Sequence, residues 1–577
     1  MAGRSIFRIL TALSLFVSAL AAPDNSTSCT YIPGDEAWPS PEQWKALNSS
    51  VNGRLIATIP QASVCHTAPF GDYNEDACEA LQTGWTAAQS YEPYPADMMN
   101  AYYQNQSCDP WTPSTRLCEL GNYAAYSISV TGPEDVIAGL KFAQERNIRL
   151  VVKTTGHDYN GRSSGHGALS LWTWNLKTSN VIPQYTSSGY SGPAIKLGSG
   201  MIVGDAYAAA HKAGYRIVGG ECGSVGIASG YTQGGGHSML NTAYGMAADQ
   251  VLEWEVVTPT GEFLTATPEQ NSDLYWALSG GGGGTYGIVL SMTAKIYPDG
   301  PVAGGSLTFA KTNESAYWKA VGLWFQQTPR LVEENNTLIF LVQDKGFGVV
   351  SMTLPDQPES AVTTLLRPYL DELDNLGIVY NLTTTYFEYY LEHFAAYFGP
   401  LPYGPNDPST ILINRIIPRA IVESESSNTQ LVDAFKDTVA GGDFLVGCSV
   451  MNVANTSWTP NAVLPAWRKT SVACNVNGYW NYTAPLSTNI DLKRRLTEVH
   501  MPVIEAASPS GGVYLNEMDP LYRNPDWKGQ LFGDNYERLV KVKDKYDPHR
   551  VLWGNFSVAS DEKILDGSGR LCKLPMF

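Results

Sequence analysis

Two glycine-rich stretches, with His157 and Cys222 about 65 residues apart, each hold one nucleophilic side chain. The first runs Lys153-Thr-Thr-Gly-His157-Asp-Tyr-Asn-Gly161-Arg-Ser163. The second runs Gly219-Gly-Glu-Cys222-Gly-Ser-Val-Gly226-Ile-Ala-Ser-Gly230-Tyr-Thr-Gln-Gly-Gly-Gly236-His237. Glycine lets the backbone approach a ligand closely and turn its N–H groups toward phosphate. An imidazole in one cradle and a thiol in the other are each nucleophiles able to bond a bound cofactor covalently. The pattern is that of a phosphate-bearing cofactor gripped by backbone amides and open to covalent attachment.

Cysteine counting isolates the thiol. The chain has nine cysteines, and in an oxidising compartment most of them should pair. Cys65 with Cys78, Cys108 with Cys118, and Cys448 with Cys474 are close in sequence, which leaves Cys29 for Cys572. Eight cysteines allow on the order of a hundred connectivities, so these pairs are expectations only. Cys222 stands apart in its loop; a buried, inert thiol is the competing reading.

The N-terminus points to that oxidising compartment. Arg4 and Arg8 precede an apolar run from Ile9 to Leu20, and Ala19-Leu20-Ala21 fits a small-residue cleavage site, so residues 1–21 are expected to be a signal peptide. The run is short for a membrane span. Nine Asn-x-Ser/Thr sequons, at Asn25, Asn48, Asn105, Asn313, Asn335, Asn381, Asn455, Asn481 and Asn555, fit a secreted, N-glycosylated product. A net charge of −17 argues against nucleic acid or an anionic membrane as the partner.

The elements that must position the two loops are legible from periodicity. A chain of 577 residues calls for two or more units. Residues 22–120, rich in Pro, Asn, Ser and Cys, read as a loop-rich, disulfide-stapled N-terminal segment. Thr131-Gly-Pro-Glu-Asp reads as a helix start with Thr131 as the cap. Val136, Ile137, Leu140 and Ala143 follow at helical spacing, and Asn147 can close the helix. Ile148–Val152 is a short strand entering the His157 loop, and Ala168–Trp174 is a strand leaving it. Strand–loop–strand order excludes a P-loop and a Rossmann turn, which both run from strand into helix. Gly198-Ser-Gly200-Met-Ile-Val-Gly204, with Glu221 downstream, imitates a nicotinamide motif, but its third glycine is one residue late. Residues 249–258 and 285–297 read as strands around a short helix at 273–279 and the glycines 280–284, a turn with close backbone approach. The aromatic run Thr385–Phe398 reads as core, with His393 a weaker candidate for a pocket wall.

Together the stretches TTGHDYNGRS, GGECGSVGIASGYTQGGGHS and DLYWALSGGGGGTYGIVLS, with the closing run YLNEMD…DW…FGDNYERLVKVKDKYDPHRVLW, carry a family resemblance. The chain resembles the secreted fungal FAD-linked oxidoreductases of the vanillyl-alcohol-oxidase type, which include berberine-bridge-like and isoamyl-alcohol-oxidase-like enzymes. The resemblance implies an α+β fold: a two-part FAD-binding domain with an inserted α+β substrate domain. The expected divisions are FAD domain 121–303, substrate domain 304–500, and a segment 501–577 closing back on the FAD domain. It implies FAD bonded twice, through His157 at the 8α-methyl and Cys222 at C6. Gly156, Asp158, Gly161 and Ser163 match the pyrophosphate cradle. Gly223, Ser224, Val225, Gly226, Gly230 and His237 match a second wall, and Asp249 and Val251 a strand passing close to the cofactor. No metal is assigned.

Two departures bear on mechanism. Many relatives close with Tyr-x-Asn-Tyr-x-Asp, whereas this chain reads Tyr514-Leu-Asn516-Glu517-Met-Asp519, which places Glu517 where a tyrosine faces the flavin. Ser279 stands where relatives often carry Arg. The expected reaction is oxidation of an alcohol-type C–H on a small molecule, with molecular oxygen as acceptor. Tyr159 and Glu517 are candidates for the proton, and Tyr514 for the pocket. Glu517 would need a raised pKa or a hydrogen-bond relay to act as a base. Oxidation of a sugar lactol, oxidative bond formation on a secondary metabolite, and a flavin-binding glycoprotein without activity are the alternatives.

Overall fold

The computed structural model describes residues 29–454 and 459–574; the expected signal peptide and the sequons Asn25 and Asn455 lie outside them. Strands β1 (Leu55–Ala57), β2 (Tyr126–Ser129), β3 (Leu150–Lys153) and β4 (Leu169–Trp172) form a sheet in the order β1-β2-β4-β3. β4 is parallel to both neighbours. Parallel neighbours need a crossover of about a dozen residues or more, usually a helix. Between β3 and β4 that crossover is residues 154–168, the His157 loop itself. β1 comes from the N-terminal segment, so that segment builds part of the sheet behind the loop.

The helix before β3 spans Pro133–Glu145. It starts one residue later than expected. Gly132 is the cap, and Thr131 donates from N and Oγ1 to the Asp135 carboxylate instead. Val136, Leu140 and Ala143 are buried against the sheet. Asn147, at φ 48, ends the element as its tolerance of the left-handed region suggests.

A second sheet holds β5 (Ser179–Thr186), β6 (Ser191–Gly198), β7 (Val251–Val257), β8 (Phe263–Ala266) and β9 (Ile288–Lys295), in the order β5-β6-β9-β7-β8 and antiparallel throughout. The glycine run 280–284 enters β9. A Cβ on Gly283 would lie 2.8 Å from the Gly230 Cα, so the two glycine-rich turns touch backbone to backbone.

The third sheet has seven antiparallel strands: β10 (Val302–Ala310), β11 (Thr337–Val342), β12 (Gly346–Pro355), β13 (Tyr380–Phe387), β14 (Thr410–Pro418), β15 (Leu445–Val450) and β16 (Thr470–Tyr479), in the order β13-β10-β12-β11-β15-β16-β14. Side chains alternate faces along a strand. Phe340 points to the helices Glu314–Leu331 and Glu425–Val439, where it meets Trp324 and Phe325. Its neighbours Ile339 and Leu341 point the other way, into the large cavity described below. His393 is not a pocket residue: it is fully buried in this domain, and its Nε2 is bonded to Thr353 Oγ1 at 2.8 Å.

Four disulfides form: Cys29–Cys572, Cys65–Cys78, Cys108–Cys118 and Cys448–Cys474. Cys222 is the one free cysteine. Cys29–Cys572 links the first described residue to the C-terminal hairpin of β17 (Lys563–Leu565) and β18 (Leu571–Lys573). Replacing both cysteines with Ala is expected to cost about 2–5 kcal/mol, read as a lower midpoint of thermal unfolding. Among the described sequons Asn105, Asn313, Asn335, Asn381 and Asn481 are exposed, while Asn48 and Asn555 are half-buried. No helix among the described residues is long and apolar enough to cross a membrane.

Candidate active site

The two glycine-rich loops and the inner face of the seven-stranded sheet enclose one elongated cavity, with about 1990 Å3 of empty space including its mouth. His157, Tyr159, Cys222, His237, Tyr514 and Glu517 all line it. His157 and Cys222 are each half-buried there.

The His157 loop is held by its own side chains. Asp158 accepts from the backbone N–H of Asn160 and from N and Oγ of Ser163. These two side chains therefore staple the loop, together with the Asp158 N–H, which donates to Gly156 O at 2.8 Å. Gly156 sits at φ +95, where a side chain would be strained, and a Cβ would press on the Asp97 carbonyl at 3.2 Å. Asn160 ties the loop to the C-terminal segment by donating from Nδ2 to Leu515 O at 2.8 Å. His157 Nε2 is bonded to Ser224 Oγ at 2.8 Å, and Nδ1 has no hydrogen bond among the described residues. Burial, aided by the Lys153 charge, pushes its pKa down to about 4, so the imidazole is neutral and nucleophilic in ordinary buffers. Burial, with Glu221 and Glu517 nearby, pushes the Cys222 thiol up to about 12.

Beside Cys222 lies an array that the sequence did not announce. His237 Nε2 meets Glu517 Oε1 at 2.8 Å, and its Nδ1 lies 3.2 Å from Glu221 Oε1. Burial opposes a charge on His237, but the two carboxylates outweigh it and hold the ring as imidazolium well above the usual histidine range. Burial also opposes the Glu517 charge; His237 and the Asn475 amide, which donates to Oε2 at 2.9 Å, outweigh it and keep the carboxyl below its ordinary value. The raised pKa that Glu517 would have needed is thus absent, and what the fold supplies instead is a charged hydrogen-bond partner in His237. Trp467 and Tyr514 flank the His237 ring at 6.2 and 5.3 Å between centroids. Tyr514 Oη accepts from Gly236 N and Asn516 Nδ2. Burial raises Tyr159 and Tyr514 far above the usual phenol range, so both are neutral hydroxyls.

Several expected cofactor contacts stand elsewhere. Asp249 does not line the cavity: its carboxylate accepts from Arg468 at 2.7 Å and from Asn461 at 2.6 Å, which anchors residues 461–468. Val251 is fully buried, and its carbonyl accepts from Tyr275. Gly223 packs against the Pro402 carbonyl, and a Cβ there would lie 2.2 Å from it. Ser224 acts through His157. Gly161 faces away from the cavity, toward Tyr103. Val225, Gly226 and Gly230 do line the cavity. Removing the half-buried Arg468 charge by Arg468→Met should cost about 3–5 kcal/mol by stranding the buried Asp249 carboxylate, without loss of any bound flavin. A loss of flavin at unchanged stability would return Asp249 to the cofactor's surroundings.

The donor set fits FAD. Arg162 lines the cavity, no carboxylate lies within ion-pair distance of it among the described residues, and its Nε and Nη2 lack hydrogen bonds. A buried cation without a partner is costly unless an anion arrives. A cofactor diphosphate beside the His157 loop would supply one.

The comparisons agree. Residues 124–267 match the FAD binding domain family, and residues 513–559 match the family described as berberine and berberine like. The chain is 47% identical to a bifunctional decalin synthase of Penicillium decumbens over 98% of its own length and 99% of that protein's. The chain belongs to the FAD-linked oxidoreductases of the vanillyl-alcohol-oxidase type. The crystal structure of a VAO-type flavoprotein from Myceliophthora thermophila superposes with a TM-score of 0.92 at 45% identity, covering 95% of this chain and 100% of that one. The glucooligosaccharide oxidase of Acremonium strictum, described with a 6-S-cysteinyl, 8α-N1-histidyl FAD, shares the fold at a TM-score of 0.62 and 16% identity, over 76% of this chain and 92% of its own. In this oxidoreductase Ser279, at the position before the five glycines, is buried and accepts from Trp254 Nε1 at 3.0 Å. It serves packing.

Sequence reasoning missed Arg162, Asn475 and the catalytic potential of Glu221. In the sequence Glu221 stands out only as the acid downstream of the nicotinamide-like glycines 198–204. Its place directly before Cys222, a charge inside a glycine-rich loop, was the available signal.

Proposed function

We propose that the protein is a secreted oxidase that converts an alcohol-type CH–OH group of a mid-sized secondary metabolite to a carbonyl, with oxygen as the electron acceptor. In this reading FAD is bonded to both His157 and Cys222, and it supplies the two-electron acceptor when bound. The observation that carries the proposal is the Glu221–His237–Glu517 array, which opens on the same cavity as His157 and Cys222.

The array has a net charge of −1 with His237 protonated: two carboxylates share one cation. One further proton makes it neutral. Glu517 takes the substrate's hydroxyl proton on a carboxylate already aligned by His237 and Asn475, and the His237 cation, with a proton on each nitrogen, stays between Glu517 and Glu221. Tyr159, a neutral phenol beside His157, donates a hydrogen bond to the substrate oxygen and orients it. Tyr514 supports the His237 ring from the side.

The substrate wall supports a hydrocarbon frame. Ile339, Leu341, Leu412, Ile416 and Ala473 face the cavity, and Asn414 spends its amide on the Tyr514 backbone. The similarity to a decalin synthase points the same way. The second reading is oxidation of a lactol, for which Asn406 and Asn477 on the wall would serve sugar hydroxyls. Secretion draws support from the four disulfides and the exposed sequons.

Peroxide release across polycyclic alcohols, simple alcohols, sugars and phenolics tests the proposal. Turnover of the hydroxylated polycyclic compounds is the expected result. Turnover of sugars alone selects the lactol reading, and substrate oxidation without peroxide removes oxygen as acceptor.

A further inference from the structure

The His157 loop separates the flavin cavity from a second one. That second cavity holds about 1010 Å3 of empty space including its mouth, and lies between the outer side of residues 160–165 and the C-terminal segment. The proposed reaction does not use it.

Its floor is a buried cation. Arg149 is 5% exposed, and among the described residues no carboxylate lies within ion-pair distance of its guanidinium. Nη2 donates to Gly161 O at 3.2 Å, and Nε has no hydrogen bond. The guanidinium lies 5.1 Å from the centre of the Trp553 ring. Burial pulls its pKa down to about 10, which leaves it charged at neutral pH. A second cation, Lys563, also lines the cavity. Asp561, the one carboxylate among the lining residues, is already paired with Lys528 at 2.7 Å. Asn160, shared with the flavin cavity, keeps Oδ1 unbonded.

The walls are aromatic. Tyr103, Trp527, Trp553 and Phe556 line the cavity, Trp553 beside the cation, and the Trp527 and Phe556 rings meet edge-on at 5.6 Å. Aromatic side chains offer large contact area to a planar ligand. A guanidinium holds a carboxylate through two parallel N–H bonds. An uncompensated buried cation within an aromatic box is the complement of a planar anion.

We propose that this second cavity binds an aromatic carboxylate, with Arg149 pairing the carboxylate and the Trp553 side of the box holding the ring. The site is separate from the reaction centre, and its occupant presses on Asn160 and Gly161 of the loop that carries His157.

The test uses the flavin-loaded protein and 2-naphthoate, followed by calorimetry and by quenching of tryptophan fluorescence. Neutral 2-naphthylmethanol and inorganic phosphate are the comparison ligands. The expected result is saturable 2-naphthoate binding that weakens by about 10- to 100-fold in Arg149→Met, the loss appropriate to a charge-assisted pair. Ile564→Trp, a change at an exposed residue of the cavity wall, should weaken binding without touching the buried cation, which covers the case in which Arg149→Met fails to fold. Absence of saturable binding, or binding unchanged in both variants, overturns the proposal and places any naphthoate in the flavin cavity. Equal binding of 2-naphthylmethanol overturns the role of the cation. Displacement by phosphate at equal concentration overturns the role of the aromatic box.

Discussion

Glu517→Gln is expected to slow anaerobic flavin reduction by about 100- to 10,000-fold, the range contributed by a positioned proton acceptor, while the flavin stays attached. Glutamine keeps the shape and can still meet Asn475, but it removes the charge that accepts the proton. The pH profile supplies a second, independent readout. The Glu517 carboxyl is held below the usual carboxylate range by His237 and Asn475. A rate that needs it ionised therefore stays on its plateau as pH falls, and drops only below that range. His237 is held charged well above the usual histidine range by Glu517 and Glu221. The array keeps its cation through neutral pH and loses it only in alkali, which gives an alkaline limb. A tyrosinate acceptor would instead make the rate climb steadily toward high pH, because burial pushes Tyr159 and Tyr514 upward. His237→Gln separates position from charge. It leaves Glu221 and Glu517 facing each other without a cation, which raises the pKa of one of them, so the acid limb should move toward neutral pH. An unchanged reduction rate in Glu517→Gln removes this residue as acceptor. An acid limb that stays in place in His237→Gln removes the array.

The sequence carried the cofactor end of this site more clearly than the substrate end, for a physical reason. Cradles for phosphate are built from local backbone, so Gly156, His157 and Cys222 announce themselves in short runs. The strand–loop–strand order around His157 could be read because β3 and β4 are apolar and short. The proposed proton-handling array is assembled from distant places: Glu221 and His237 come from the two ends of the second glycine-rich stretch, Glu517 from the C-terminal segment, and Asn475 from a strand of the seven-stranded sheet. No local period links them. Glu517 was visible as a departure from the family pattern, but its ionisation follows from His237, and that contact exists only in the fold. Asp249 shows the converse error. A family position near the cofactor suggested contact, whereas burial with Arg468 and Asn461 gives it a structural partner instead. Cysteine spacing succeeded because three of the four disulfides close short loops, which leaves Cys29 and Cys572 to pair by elimination.

In a His157→Ala/Cys222→Ser double variant the yellow colour is expected to leave the chain completely on denaturation, whereas the wild-type polypeptide is expected to keep it on a denaturing gel. The two single variants should differ, because the two nucleophiles are prepared differently. His157 is neutral at ordinary pH, with its pKa pushed down to about 4. Ser224 fixes Nε2, and Nδ1 is left without a protein hydrogen bond among the described residues. Cys222→Ser should therefore keep a full covalent band after maturation near neutral pH. The Cys222 thiol, pushed up to about 12, is almost wholly protonated under the same conditions, and the thiolate is the nucleophile. His157→Ala should acquire its covalent band slowly, and faster as pH rises, since the thiolate fraction grows about tenfold per pH unit below the pKa. Ser224→Ala adds a test of positioning. It frees Nε2 and should slow the His157 bond without altering the Cys222 bond. A colourless Cys222→Ser chain would show that His157 does not carry the flavin, and a double variant that remains yellow after denaturation would move the attachment to another residue.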